Sequence, residues 1–187
     1  MARKKQYNEG EVIEKAMNLF WRNGYETTSM QMLEKEMGIN KFSIYASFGN
    51  KNGVFLESLK CYKTQLNQLI QTLKDSPEGI TGIKKYFYAF IAFSKETELG
   101  KGCLITNTAN ELKEDANEKI KEVLSKFMDD VKQLFSDKLR QDTTKNETLI
   151  TEQADYLMIS MFGLSSASRI FNKTQLNHYI ENIFKNL

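Results

Sequence analysis

Apolar residues recur at three- and four-residue intervals from the first turn of the chain onward. Val12, Ile13, Ala16, Met17, Leu19 and Phe20 make one stripe, the period of an amphipathic helix. Asn8 stands at its cap, Glu9 and Glu11 put negative charge in its first turn, and Asn23-Gly24 offers the left-handed residue that closes a helix. A second helix is predicted from a cap at Thr28 or Ser29 through Met30, Leu33 and Met37, stopping at Gly38. A third, capped by Asn40, runs from Lys41 to Phe48. Leu33, Ile39 and Ile44 supply its inner packing, which leaves its other faces outward. Two short helices joined by a tight glycine turn read as a helix-turn-helix.

The same period continues. A long fourth helix is expected from Lys51 to Lys74, with Val54, Phe55, Leu59, Leu66, Leu69, Ile70 and Leu73 as its apolar set. Asp75-Ser76-Pro77-Glu78 breaks and restarts helix, proline suiting the first helical position after a serine cap. Ile83, Tyr86, Phe87, Phe90, Ile91 and Phe93 then make a helix apolar on nearly all sides, as expected of one running through a core. Glu98 to Gly102 reads as a loop, and a further helix is expected over about Asp115–Gln141. The last two helices are placed at roughly Thr148–Phe171 and Thr174–Lys185. The fold class is all-α, about nine helices, with a three-helix domain over 1–50 and a larger helical domain over 51–187.

Composition narrows the class. Hydrophobic residues make up 41% and there is one proline, too apolar for a disordered chain and too poor in breakers for a strand-rich one. Net charge is only +2, so nucleic-acid binding is not announced by the total. The start, Ala2-Arg3-Lys4-Lys5, is a short basic arm able to meet phosphates or simply to be solvated. Two cysteines, Cys61 and Cys103, and one histidine, His178, cannot build a metal site, a disulfide framework or a convincing triad. Phosphate loops, nucleophile elbows and His-Glu-x-x-His elements are missing too, so neither enzyme activity nor a cofactor is expected. The longest apolar run, Tyr86–Phe93, is far below the ~18–20 residues that span a bilayer, and no signal-peptide pattern opens the chain. A cytoplasmic protein with no membrane partner is the expectation.

Several spaced elements then agree. Gly24-Tyr25-Glu26-Thr27-Thr28-Ser29-Met30, Met37-Gly38-Ile39-Asn40-Lys41 and Ser43-Ile44-Tyr45-Ala46-Ser47-Phe48-Gly49-Asn50-Lys51 together resemble the DNA-binding domain of the TetR family of bacterial regulators. The resemblance covers roughly residues 8–60. It implies a homodimer on double-stranded palindromic operator DNA, with the third helix in the major groove. By that resemblance the DNA-facing residues are Thr28 and Gln31 on helix two, Lys41, Phe42, Ser43, Tyr45 and Ser47 on helix three, and Lys51 as a phosphate contact. Thr28 would cap helix two and aim backbone amides at a phosphate. Two residues depart from the pattern. Glu34 stands where a small residue usually packs on the third helix; its carboxylate can swing to solvent, which keeps the fold but sets the helix pair slightly apart. Phe42 stands where a small residue or proline is common, and either meets a thymine methyl or sugar or packs on a neighbouring helix.

Behind the reading head, Cys103-Leu104-Ile105-Thr106-Asn107 resembles a Gly-Cys-Leu-x-x-Asn segment in the body of many TetR-like regulators. The body is expected to bind an unknown small-molecule effector and to dimerise through about 148–185, where the small residues of Gly163–Ser168 would let helices approach. Candidate pocket residues are Tyr86, Phe90, Phe93, Cys103, Phe127, Met128, Met158 and Phe162, each of which also suits plain core packing. Alternatives from other classes are a redox or electrophile sensor acting through Cys103, a helical interaction adaptor with a degenerate helix-turn-helix, and an architectural DNA binder.

Overall fold

Nine α-helices carry the described residues of the computed structural model, which are 7–95, 100–185 and 187. The basic arm Arg3-Lys4-Lys5 and Glu98-Leu99 of the expected loop lie outside them. In chain order the helices are α1 Glu9–Asn23, α2 Met30–Met37, α3 Lys41–Phe48, α4 Lys51–Asp75, α5 Gly79–Ser94, α6 Leu104–Glu111, α7 Glu118–Leu139, α8 Glu147–Ala167 and α9 Lys173–Ile183. An isolated antiparallel bridge joins Lys95 to Gly100.

Caps explain the boundaries. Asparagine side chains accept amide protons at the heads of α1, α3, α4, α7, α8 and α9, through Asn8, Asn40, Asn50, Asn117, Asn146 and Asn172. Ser29, not Thr28, caps α2. Gly38 closes α2 in the left-handed region at φ 69°, where a side chain would be strained. The expected start of α5 is corrected. Ser76 closes α4 rather than capping α5, and helix resumes only at Gly79. The deciding residue is Lys138 of α7, whose buried ammonium donates to Lys74 O at 2.8 Å and Ser76 O at 2.5 Å, holding the α4 end shut. Likewise α8 stops at Ala167, short of Phe171, because the chain turns over 168–171 into the Asn172 cap.

Packing ties the two parts into one core. The apolar stripe of α1 lies on α2 and α4, and the first turns of α4 complete the N-terminal unit: Phe55 meets Phe20 at 4.8 Å and Tyr25 at 4.6 Å between ring centroids. The core continues unbroken through α5, α7 and α8 to Ile183 of α9. Short α6 touches α1, α4, α7 and α8, and so sits at the junction of head and body. No helix among the described residues is long and apolar enough to cross a membrane.

Candidate DNA-binding face and body cavity

Ile44 is the one fully buried residue of α3, Phe48 packs partly on the core beside it, and the opposite side of the helix is open. Its seat on α4 is tight: a Cβ at Gly53 would fall 1.8 Å from Phe48 O, so any larger residue there must displace α3. At its head, Asn40 Oδ1 accepts from Ser43 N, and the carboxylate of Glu34 accepts from Lys41 N at 2.9 Å. The expectation that Glu34 swings to solvent is therefore corrected. The carboxylate finds the positive end of a helix, where an acidic group is favoured.

The expected DNA-facing residues separate into three kinds. Lys41, Phe42 and Tyr45 share the open side of α3, with the Lys41 ammonium 5.8 Å from the Tyr45 ring centre, and Gln31 is exposed on α2. Ser43, Ser47 and Lys51 are half-buried and already engaged. The Tyr7 hydroxyl lies 2.7 Å from Ser47 Oγ and donates to Ser43 O. Lys51 donates to Glu26 O at 3.2 Å and sits over the Tyr25 ring, and burial there lowers its pKa. Thr28 is a correction: its side chain is fully buried and donates to Gly24 O at 2.6 Å, a brace inside the turn rather than a group facing outward. Tyr7 was missed because a lone aromatic before a helix carries no periodic signal.

A clasp joins this head to the body. Glu111, the last residue of α6, accepts from Glu26 N at 3.0 Å and presses on Gly24, whose φ of 89° and lack of a Cβ admit the carboxylate. On the far side, the indole of Trp21 donates to Gly102 O at 3.0 Å.

Seven of the eight expected pocket residues do meet. Tyr86, Phe90, Cys103, Phe127, Met128, Met158 and Phe162 line one cavity inside α5–α8. Phe93 does not, and this is a correction: it packs on Trp21 and Tyr62, with ring centres 5.5 and 6.0 Å away. The cavity holds only about 30 Å³, where pockets for drug-sized ligands measure roughly 300–1,000 Å³. Burial raises the Tyr86 phenol on its wall, and that of Tyr62 nearby, well above the ordinary value. Cys103 is buried, accepts from the Tyr62 hydroxyl at 3.2 Å, and has its amide bound to Ser165 Oγ. Oxidant sensors usually expose their thiol, so this setting suits packing better.

The small-residue run of α8 also divides. Ser165 and Ser168 serve the chain itself, holding Cys103 N and closing on Gly100, and Gly163 makes room for the Tyr179 hydroxyl. The exposed surface of this stretch includes large apolar side chains: Tyr156 and Ile159 on α8, then Ile170 and Phe171 just beyond it, with Ile159 and Ile170 each 72% exposed.

A short exposed helix set on a glycine-turned partner, mounted on a larger helical body, defines a helix-turn-helix DNA-binding protein. The model of the bacterial regulatory proteins of the tetR family matches residues 12–58. The uncharacterized regulator YezE of Bacillus subtilis is 30% identical over 112 residues, 59% of this chain and 58% of YezE, so that match spans less than two thirds of the relative. IcaR, negative regulator of the biofilm operon icaADBC in Staphylococcus aureus, is 26% identical over 184 residues, 92% of this chain and 96% of IcaR. Among solved structures, a cysteine mutant of the TetR-family regulator CifR complexed with 26-bp operator DNA superposes with a TM-score of 0.88 at 25% identity, over 98% of both chains. Over its helix-turn-helix the chain is thus similar to the tetR family of bacterial regulatory proteins, and over its whole length it has the fold of a TetR-family regulator.

Proposed function

We propose that this chain is a transcriptional repressor that binds a palindromic operator as a homodimer and is released by a small-molecule effector. The carrying observation is the open face of α3, on which Lys41, Phe42 and Tyr45 stand together away from the core. Repression is supported by IcaR and operator binding by CifR, the relatives whose names state those roles. The acting residues are Lys41 and Tyr45 from α3 with Gln31 from α2, while Lys51 and Ser47 hold the reading unit in shape. The division at 50/51 is one of role, since the packing crosses it. Catalysis has no part in this reading, and the place of action is the cytoplasm, where operator DNA lies.

Two copies are needed because one short helix reads only a few base pairs. The dimer is supported by the bare apolar residues of the last two helices and the turn between them, within 148–185. For the effector, the cavity is lined by aromatic and methionine side chains and neutral hydroxyls, which suits an uncharged apolar compound. Because the cavity is nearly closed, such a ligand must open it. That favours a conformation other than this one and so shifts the population. Cavity and head are joined by α6, which starts at Cys103 on the cavity wall and ends at the Glu111 clasp on Glu26.

The test is a binding titration on a duplex selected by the protein from random sequence. Wild type should bind with a steep salt dependence. Tyr45→Ala should bind about tenfold more weakly at unchanged slope, and Lys41→Ala should flatten the log–log salt slope by about one per half-site. Salt-insensitive binding, or equal affinity for all three proteins, excludes the reading and leaves a helical interaction adaptor.

Glu34 gives a second expectation. Its carboxylate serves the α3 head but would stand among phosphates. Glu34→Gln keeps an acceptor for Lys41 N and removes the charge. Duplex affinity at low salt should rise about two- to fivefold, while the melting temperature changes little. Anisotropy titrations showing weaker binding would mean the carboxylate is a positive element of the interface.

A further inference from the structure

Among the large apolar side chains of the described residues left exposed, Phe42 is the most so, at 82%. Burying such a ring is favourable, and α3 forgoes it. The placement follows from helix geometry. Successive residues advance about 100°, so Phe42, two before the buried Ile44, points roughly opposite the core. Tyr45 and Ala46, three and four residues on, return to the same side and are exposed as well. The outermost strip of the reading helix is thus Phe42, Tyr45 and Ala46.

That strip itself holds no Arg, Lys, Asn or Gln, the side chains that grip base edges by paired hydrogen bonds, and Lys41 stands at its edge. At the head of α3, Lys41 N and Ser43 N are already taken by Glu34 and Asn40 and are not free for a base. An aromatic ring pushed into a major groove meets one apolar feature there, the 5-methyl group of thymine. Resting on the DNA-binding reading above, we infer that Phe42 is a specificity-determining residue that selects operator half-sites by the thymine methyl it covers. Discrimination at that base pair is by methyl burial, with the hydrogen-bonded contacts coming from flanking side chains.

Uracil separates the methyl from everything else, since it pairs and hydrogen-bonds as thymine does. Full-length protein selects its best duplex from a random pool, and that duplex is remade with each symmetric pair of thymines replaced in turn by uracil. At one such pair, wild type should lose about fourfold per methyl, hence roughly tenfold or more over both half-sites. Phe42→Ala should bind the thymine duplex about as weakly as wild type binds the uracil one, and should not distinguish the two. Phe42→Leu, which keeps an apolar contact, should retain part of the discrimination. Melting curves should coincide for all three proteins, as an exposed ring contributes little to folding. If wild type tolerates uracil at every position within twofold, or Phe42→Ala keeps full uracil sensitivity, the inference is overturned while the regulator reading stands. If no duplex is selected at all, the DNA-binding reading fails and takes this one with it.

Discussion

Ile159→Glu should convert the protein from a dimer into a folded monomer of 21.7 kDa that no longer holds a palindromic duplex. Ile159 is 72% exposed at the middle of α8, while Leu157, Ser160, Met161 and Leu164 of the same helix are buried within the chain. A charge at Ile159 therefore leaves the fold intact and falls where two copies would meet. In a two-fold contact each substitution counts twice, and two carboxylates would be driven together without water or a cation to balance them. Losing the partner also removes the second reading head, so affinity for the full palindrome should fall about 100-fold or more, toward the level of non-specific binding. Sedimentation or light scattering gives the mass, circular dichroism the helicity, and anisotropy the binding. An Ile159→Glu protein that remains dimeric and binds as wild type does would place the interface elsewhere.

The second large effect is on stability. Trp21→Ala should cost about 3–5 kcal/mol, a large share of the roughly 5–15 kcal/mol by which native domains are stable. The indole is 4% exposed, meets Tyr62 with ring centres 5.0 Å apart and Phe93 at 5.5 Å, and lies under the Lys101 ammonium at 4.3 Å. Removing it opens a cavity where α1 meets the body and leaves Gly102 O without the donor it has at 3.0 Å. Trp21→Phe keeps one six-membered ring but loses the N–H and part of the indole's volume, so it should cost less, about 1–3 kcal/mol. Urea unfolding followed by circular dichroism measures both, and it avoids the fluorescence that these substitutions remove. Equal and small losses would show that the head is held to the body by other contacts, such as the Glu111 clasp.

These two residues also mark what local pattern could and could not show. Neither Trp21 nor Tyr62 belongs to the stripes read from the sequence, yet Tyr62 is fully buried. Tyr62 shares the face of α4 that carries Phe55, Leu59 and Leu66, and Trp21 follows Ile13 and Met17 at four-residue steps along α1. Both therefore continue the apolar stripes, and their polar ring atoms are what set them apart. Conversely, the Gly163–Ser168 run signalled close approach to a dimer mate, while most of it packs on this chain. Small residues mark a near neighbour without saying whose.

The DNA face was legible for the same reason that its details were not. Ile44 as anchor, Gly38 as turn and Asn40 as cap are local signals, and they orient α3 wherever it sits. The occupation of Ser47 by Tyr7, of Lys51 by Glu26 O and of the α3 head by Glu34 depends on groups 40, 25 and 7 residues away. Pocket residues were found because aromatics and methionines on inward faces must converge somewhere. Whether they leave room is a matter of how completely they interdigitate, and here they leave about 30 Å³.

By itself, then, the order of amino acids determined eight of the nine helical segments, all but α6, together with the turn between α2 and α3 and the side of the third helix that faces outward, because period, caps and glycines act within a few residues. Tertiary structure alone decided which apolar surfaces the chain covers and which it leaves bare. Trp21 and Tyr62 are enclosed, whereas Phe42, Ile159 and Ile170 face water. Hydrophobicity expresses a preference for burial but carries no address, and only the packed arrangement says whether a ring is hidden by its own chain or left for DNA or a second copy.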